Sequence, residues 1–125
     1  MKIKEFYLDI PVLNSSCWFV WNVTKDHAKD WLKKKFSIEY DFDTLGVTTD
    51  ACAVLGSIPI IFICGWANNP KWLAILAHEC VHVANFILKE RSIEEKEGHD
   101  EMQAYLVGHL IESFLTALKK KNQAN

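Results

Sequence analysis

His78, Glu79 and His82 are the residues of this chain whose types and spacing specify chemistry most directly. They form the pattern H-E-x-x-H within Leu76-Ala77-His78-Glu79-Cys80-Val81-His82-Val83-Ala84, and residues four apart on a helix share a face. Two imidazoles aimed at one point suit Zn2+, which binds neutral ring nitrogens and leaves room for a third ligand and a water. Glu79 stands beside the pair rather than in line with it, and is the expected general base toward a water whose pKa zinc lowers to about 7. The surroundings sharpen the pattern, because from Trp72 to Leu88 the strongly polar residues are His78, Glu79, His82 and Asn85 alone. Burying such groups is costly unless they are paired or bound to a metal. The plain alternative is a core helix whose histidines are satisfied by hydrogen bonds.

A second polar constellation lies near the C-terminal end. Glu101, Tyr105, His109 and Glu112 make one polar stripe on an otherwise apolar helical pattern, and such a stripe needs a reason. Set opposite the two histidines it would line a pocket. Glu101 is then the expected third metal ligand and Tyr105 the hydrogen-bond donor to the oxyanion of a tetrahedral intermediate. His109 shares that role or orients a ligand from behind, and becomes the rival third ligand if the two helices form a tight hairpin. The long connection between them favours Glu101.

The elements that must position these groups can be read from the pattern. Ile3 to Ile10 alternates and stops at Pro11, a strand, and Cys17 to Trp21 is a second, more buried one. Thr24 caps a helix to Lys35 with Ala28, Trp31, Leu32 and Phe36 on its apolar face. The acidic stretch from Ser37 to Thr44 reads as a loop or edge strand. Val47 to Leu55 and Ile58 to Cys64 form a hairpin, with Ile60-Ile61-Phe62-Ile63 central and Thr48-Thr49-Asp50-Ala51 at an edge where an extended peptide could pair. Asn69 as cap and Pro70 at the first turn open the motif helix, which runs to about Lys89 or Arg91. Ser92-Ile93-Glu94-Glu95 has capping-box form, and Asp100 caps the last helix with Gln103 as its reciprocal partner, ending near Lys119. Gly108 costs this helix about 1 kcal/mol relative to alanine, so a close helix approach is expected there.

A chain of 125 residues, half of them apolar and with five tryptophans, fits one densely cored domain over residues 1–125. A formal charge of −2 gives no case for nucleic acid. No apolar run approaches the roughly 20 residues of a membrane span, and Met1-Lys2-Ile3-Lys4-Glu5 does not open a secretory signal, so a cytoplasmic protein is expected. Cys17, Cys52, Cys64 and Cys80 form no C-x-x-C pair and read as free, buried thiols, with Cys80 turned to the core.

Eighteen residues separate His82 from Glu101. With that spacing the chain resembles the gluzincins, zinc peptidases in which two motif histidines and a downstream helical glutamate hold the metal. The gap is that of the aminopeptidase N branch, where an Asn-Glu pair stands at the place of Asp100-Glu101. The resemblance implies His78, His82 and Glu101 as zinc ligands, Glu79 as base, and an α+β, zincin-like single domain. In that fold a short, mostly antiparallel sheet packs on a buried H-E-x-x-H helix and a C-terminal helix. The run from Ala74 to Leu110 is also similar to small proteins of bacterial viruses classed as metallopeptidases, which implies a phage protein in the cytoplasm of a bacterial host. The expected function is a zinc-dependent hydrolase acting on a peptide or protein. Gluzincins usually carry a second subdomain as the far wall of the cleft, and that departure keeps a second function in play: a catalytically inert zinc-binding protein that docks on a host or viral protein.

Overall fold

The computed structural model describes residues 2–93 and 99–123. The elements in order are β1 (Lys4–Ile10), β2 (Ser15–Trp21), α1 (Lys25–Phe36), β3 (Ala51–Val54), β4 (Ile60–Ile63), α2 (Pro70–Glu90) and α3 (His99–Gln123). The four strands form one sheet in the order β1-β2-β4-β3. β1 pairs antiparallel with β2, β2 runs parallel to β4, and β4 pairs antiparallel with β3. This is an α+β domain with a mostly antiparallel sheet. Among the described residues no helix is long and apolar enough to cross a membrane.

Both faces of the sheet are covered, and the strand sequences show why. β4 is buried along its whole length, as an uninterrupted apolar run requires. Phe19, Ile61 and Ile63 point to the face carrying α2 and α3, where Leu76, Cys80 and Val83 meet them. Val20, Ile60 and Phe62 point to the opposite face, closed by Ala28 and Leu32 of α1 together with Phe42 and Leu45. Phe114 of α3 stacks on Phe19 with ring centroids 4.3 Å apart and meets Trp21 edge-on at 5.5 Å. That contact holds α3 to the sheet, and such aromatic pairs add about 0.5–1.5 kcal/mol to the burial itself.

The helix starts follow their caps. Thr24 accepts from the His27 amide at 3.4 Å, and Asn69 accepts from the Trp72 amide at 3.1 Å with Pro70 in the first turn of α2. Other expectations shift. The strand expected from Val47 begins only at Ala51, because Thr44 uses its carbonyl for the amides of Val47, Thr48 and Thr49 and Gly46 adopts φ +78°, which closes a turn. Asp100 lies inside α3 rather than capping it, and α3 continues past Lys119 to Gln123. Gln103 bonds to Asn85 of α2, not back to the start of its own helix. α2 ends as Ser92 takes φ +57° and Ile93 donates to the Leu88 carbonyl; Glu94 and Glu95 of the expected capping box lie outside the described residues.

Arg91, at the end of α2, ties the helix to the β1–β2 connection: its Nε donates to the Leu13 carbonyl at 2.6 Å and its Nη2 to the carbonyl of Asn14. Arg91→Ala leaves two carbonyls without a charged donor and is expected to lower stability by about 1–2 kcal/mol, read as a lower urea midpoint with an unchanged slope.

Candidate metal centre

The rotation of α2 decides what each motif residue faces. Leu76, Cys80, Val83 and Ile87 form its core row and are buried. His78 lies about 200° around the helix from Leu76 and His82 about 240°, so both imidazoles leave the core and are exposed. Their Nε2 atoms meet at 3.2 Å, with ring centroids 4.8 Å apart. In the metal-free neutral state one ring donates to the other. Two imidazoles on one tetrahedral zinc, at 2.0–2.1 Å each, have nitrogens about 3.3 Å apart. The separation of the pair is close to that spacing.

Glu79 sits between the core row and the histidines. It is 6% exposed, and its Oε2 is buried without a hydrogen-bond partner. Burial raises its pKa from the ordinary carboxylate value, against the pull of His78 and His82, which lowers it. A buried, unpartnered carboxylate oxygen costs free energy in the folded state and is the kind of strain found where a proton must be handled. Thr49 and Asp50, just before β3, and Ala51 at its start join Ala74, Ile75, His78 and Glu79 in lining a groove of about 400 Å³. Asp50 is held at its mouth by Lys71, at 3.4 Å. In the sequence Thr49 and Asp50 belong to an expected edge, and nothing in their spacing marks them as neighbours of His78.

The expected partners on α3 are placed elsewhere. Gln103 Nε2 bonds Asn85 Oδ1 at 2.5 Å, which turns that side of α3 toward α2. Glu101 lies about 200° around the helix from Gln103 and is exposed. Tyr105 is 58% exposed and Glu112 is exposed as well. Glu101, Tyr105 and Glu112 thus lie on the solvated back of α3, the ordinary cause of such a pattern. His109 lines a separate groove with Phe6 and Leu8 of β1, with the Tyr105 ring parallel to its own at 6.0 Å. The helix rotation that buries Leu106, Leu110 and Phe114 sets Glu101 and Tyr105 on the exposed side of α3 and His109 against β1, so among the described residues the expected third ligand Glu101, its rival His109 and the expected oxyanion donor Tyr105 are not brought together with His78 and His82. Among the described residues no group of three His, Cys, Asp or Glu side chains converges on a metal position.

All four cysteines are free, and burial followed by the nearby Glu79 charge pushes Cys80 and Cys52 up to about 12. Among the described residues, the metal-binding side chains that α2 places together are two histidines with one carboxylate beside them.

Glu79 makes the metal-free protein pH-dependent in a defined direction. Its folded pKa lies above the ordinary 4.5, so the folded state keeps a proton that the unfolded chain has lost, and stability falls as pH rises from 4.5 through the raised value. With chelator present, Glu79→Gln is expected to be more stable than wild type at pH 7, with the gap shrinking as the pH drops below 4.5, as read by urea unfolding at both pH values.

No protein-family model matches the chain, and no curated protein or solved structure matches it either.

Proposed function

We propose that this chain is a zinc-dependent hydrolase acting on a peptide, with His78 and His82 as metal ligands and Glu79 as general base. The observation that carries the reading is the Nε2 pair at 3.2 Å beside a buried carboxylate whose Oε2 has no partner. Zinc, when bound, supplies Lewis-acid polarisation of a carbonyl and activation of water. The chain supplies the rest. His78 and His82 hold the ion through Nε2, on a helix whose buried row fixes their spacing. Glu79 accepts a proton from the attacking water at its carboxylate and returns it to the leaving nitrogen; its raised pKa brings it closer to the range in which a carboxyl group can both take and give a proton. β3 is an edge strand, and its start lines the groove with His78 and Glu79. An extended peptide paired to that edge through its main chain would pass along the groove. At the other edge, Lys121 Nζ already donates to the Glu5 carbonyl of β1, a familiar way of blunting a strand.

One observation favours a second reading. With Glu101 on the solvated side of α3, the described residues offer two ligands where catalytic zinc sites have three. A zinc-binding protein without hydrolytic activity, docking a peptide at the same edge, uses every feature above except Glu79.

The two readings separate on one set of proteins. Wild type and Glu79→Gln are expected to bind one zinc each by metal analysis, and His78→Ala and His82→Ala to bind none. Against a broad peptide library, wild type cleaves and Glu79→Gln loses about 10²–10⁴ in kcat. Zinc without cleavage in wild type leaves the docking reading, and no zinc in wild type removes both.

A further inference from the structure

On the face of the sheet opposite α2 and its histidines, three side chains gather around one ammonium group. Glu5 of β1 and Trp18 of β2 reach the side covered by α1, where Trp31 and Lys35, four apart on that helix, meet them. Lys35 Nζ lies 4.4 Å from the centroid of the Trp18 ring and 5.4 Å from that of Trp31, and the two ring planes stand at 72°. Both oxygens of Glu5 accept from the same Nζ at 3.2 Å. The walls are held by other contacts than that lysine. Trp31 Nε1 donates to Glu5 Oε2 at 2.7 Å and fixes the carboxylate, Trp31 meets the buried Phe62 edge-on at 5.7 Å, and Tyr7 flanks Trp18 at 5.0 Å. Lys35 is the exchangeable member, in the last turn of α1 on a flexible stem, with its side chain 35% exposed. An ion pair as open as this adds little to stability. Stability alone therefore does not explain two indoles and an oriented carboxylate around one charge.

We propose that Glu5, Trp18 and Trp31 form a recognition site for a small quaternary ammonium ion of the choline type, which takes the place of the Lys35 ammonium. The distances select the methylated form. A methyl carbon stands about 1.5 Å from its nitrogen and touches ring carbons at about 3.5–4.0 Å, so a nitrogen 4.4 and 5.4 Å from two ring centroids has the spacing of one that carries methyl groups. A bare lysine ammonium is a compact, strongly hydrated charge. A quaternary ammonium has no N–H for water to accept, gives up its hydration at lower cost, and is the cation for which proteins use aromatic walls. Glu5 supplies the opposite charge from a fixed position and needs no hydrogen bond from the ligand to do so. Lys35 is the built-in competitor, tethered at an effective concentration on the order of millimolar. The site lies across the sheet from the groove of His78 and Glu79 and is independent of metal.

Titration of the full chain in chelator with choline chloride at constant ionic strength, read from the indole Nε1–H resonances of the five tryptophans, tests the site. Lys35→Ala removes the competitor and is expected to bind choline about tenfold more tightly than wild type, at about 1–10 mM. The Trp18 and Trp31 resonances move, and those of Trp21, Trp66 and Trp72 do not. A lysine with a purely structural role would give no such gain. Glu5→Gln in the Lys35→Ala background is expected to weaken binding about tenfold, and ammonium chloride in place of choline to bind at least about tenfold more weakly. Lys35→Ser repeats the measurement if Lys35→Ala does not fold. A lysine-free variant whose Trp18 and Trp31 resonances show no saturable movement, or move no more readily than in wild type, overturns the proposal. So does an equal response to ammonium and choline, or a Glu5→Gln variant that binds as tightly.

Discussion

Leu76, Cys80, Val83 and Ile87 are buried against the sheet, and this row fixes the rotation of α2 about its own axis. A helix of 3.6 residues per turn with one face locked has no freedom left for the others. His78 and His82 must therefore emerge on the side away from the core, and Glu79 must fall at the boundary, where burial strips water from one of its oxygens. The two imidazoles and the carboxylate come from one helix. Their placement follows from packing, and each buried side chain of the row contributes about 1.5–3 kcal/mol toward holding the imidazoles where they are.

The same constraint acts on α3 with the opposite result. Leu106, Leu110 and Phe114 lock that helix by burial, and Phe114 is held between Phe19, Trp21 and Trp66. Once these are seated, Glu101, Tyr105 and Glu112 are bound to the outer side. A ligand set spread over two helices needs both rotations to agree, and here the hydrogen bond between Gln103 and Asn85 marks the side of α3 turned to α2. α2 alone therefore presents the two imidazoles, beside the groove that His78 and Glu79 line with the start of β3.

How much of this could be read in the sequence depends on how many physical causes each pattern has. Asn69-Pro70 has one, and α2 begins where it says. Ile60-Ile61-Phe62-Ile63, apolar on both faces, has one as well, and it is a central strand. The polar stripe of α3 has two causes, a pocket or a solvated surface, and periodicity does not distinguish them. The decisive residue, Gln103, lies off the stripe. From Thr44 to Asp50 the alternation of small and branched residues imitates a strand, but Gly46 in the left-handed region and the Thr44 carbonyl make a turn. Of the site itself, His78, Glu79 and His82 were legible because i, i+4 spacing is a local property. Thr49 and Asp50 were not, since their place beside His78 depends on how the sheet is ordered, which is a property of the whole chain.

Whether His78 and His82 hold one metal ion through Nε2 is read most directly in a long-range 1H–15N histidine spectrum during titration with zinc. One equivalent is expected to move the Nε2 resonances of His78 and His82 together into the metal-bound range, with His27 and His109 unchanged. Resonances of the pair that stay in place through several equivalents of zinc, or that move no more than those of His27 and His109, would contradict the account.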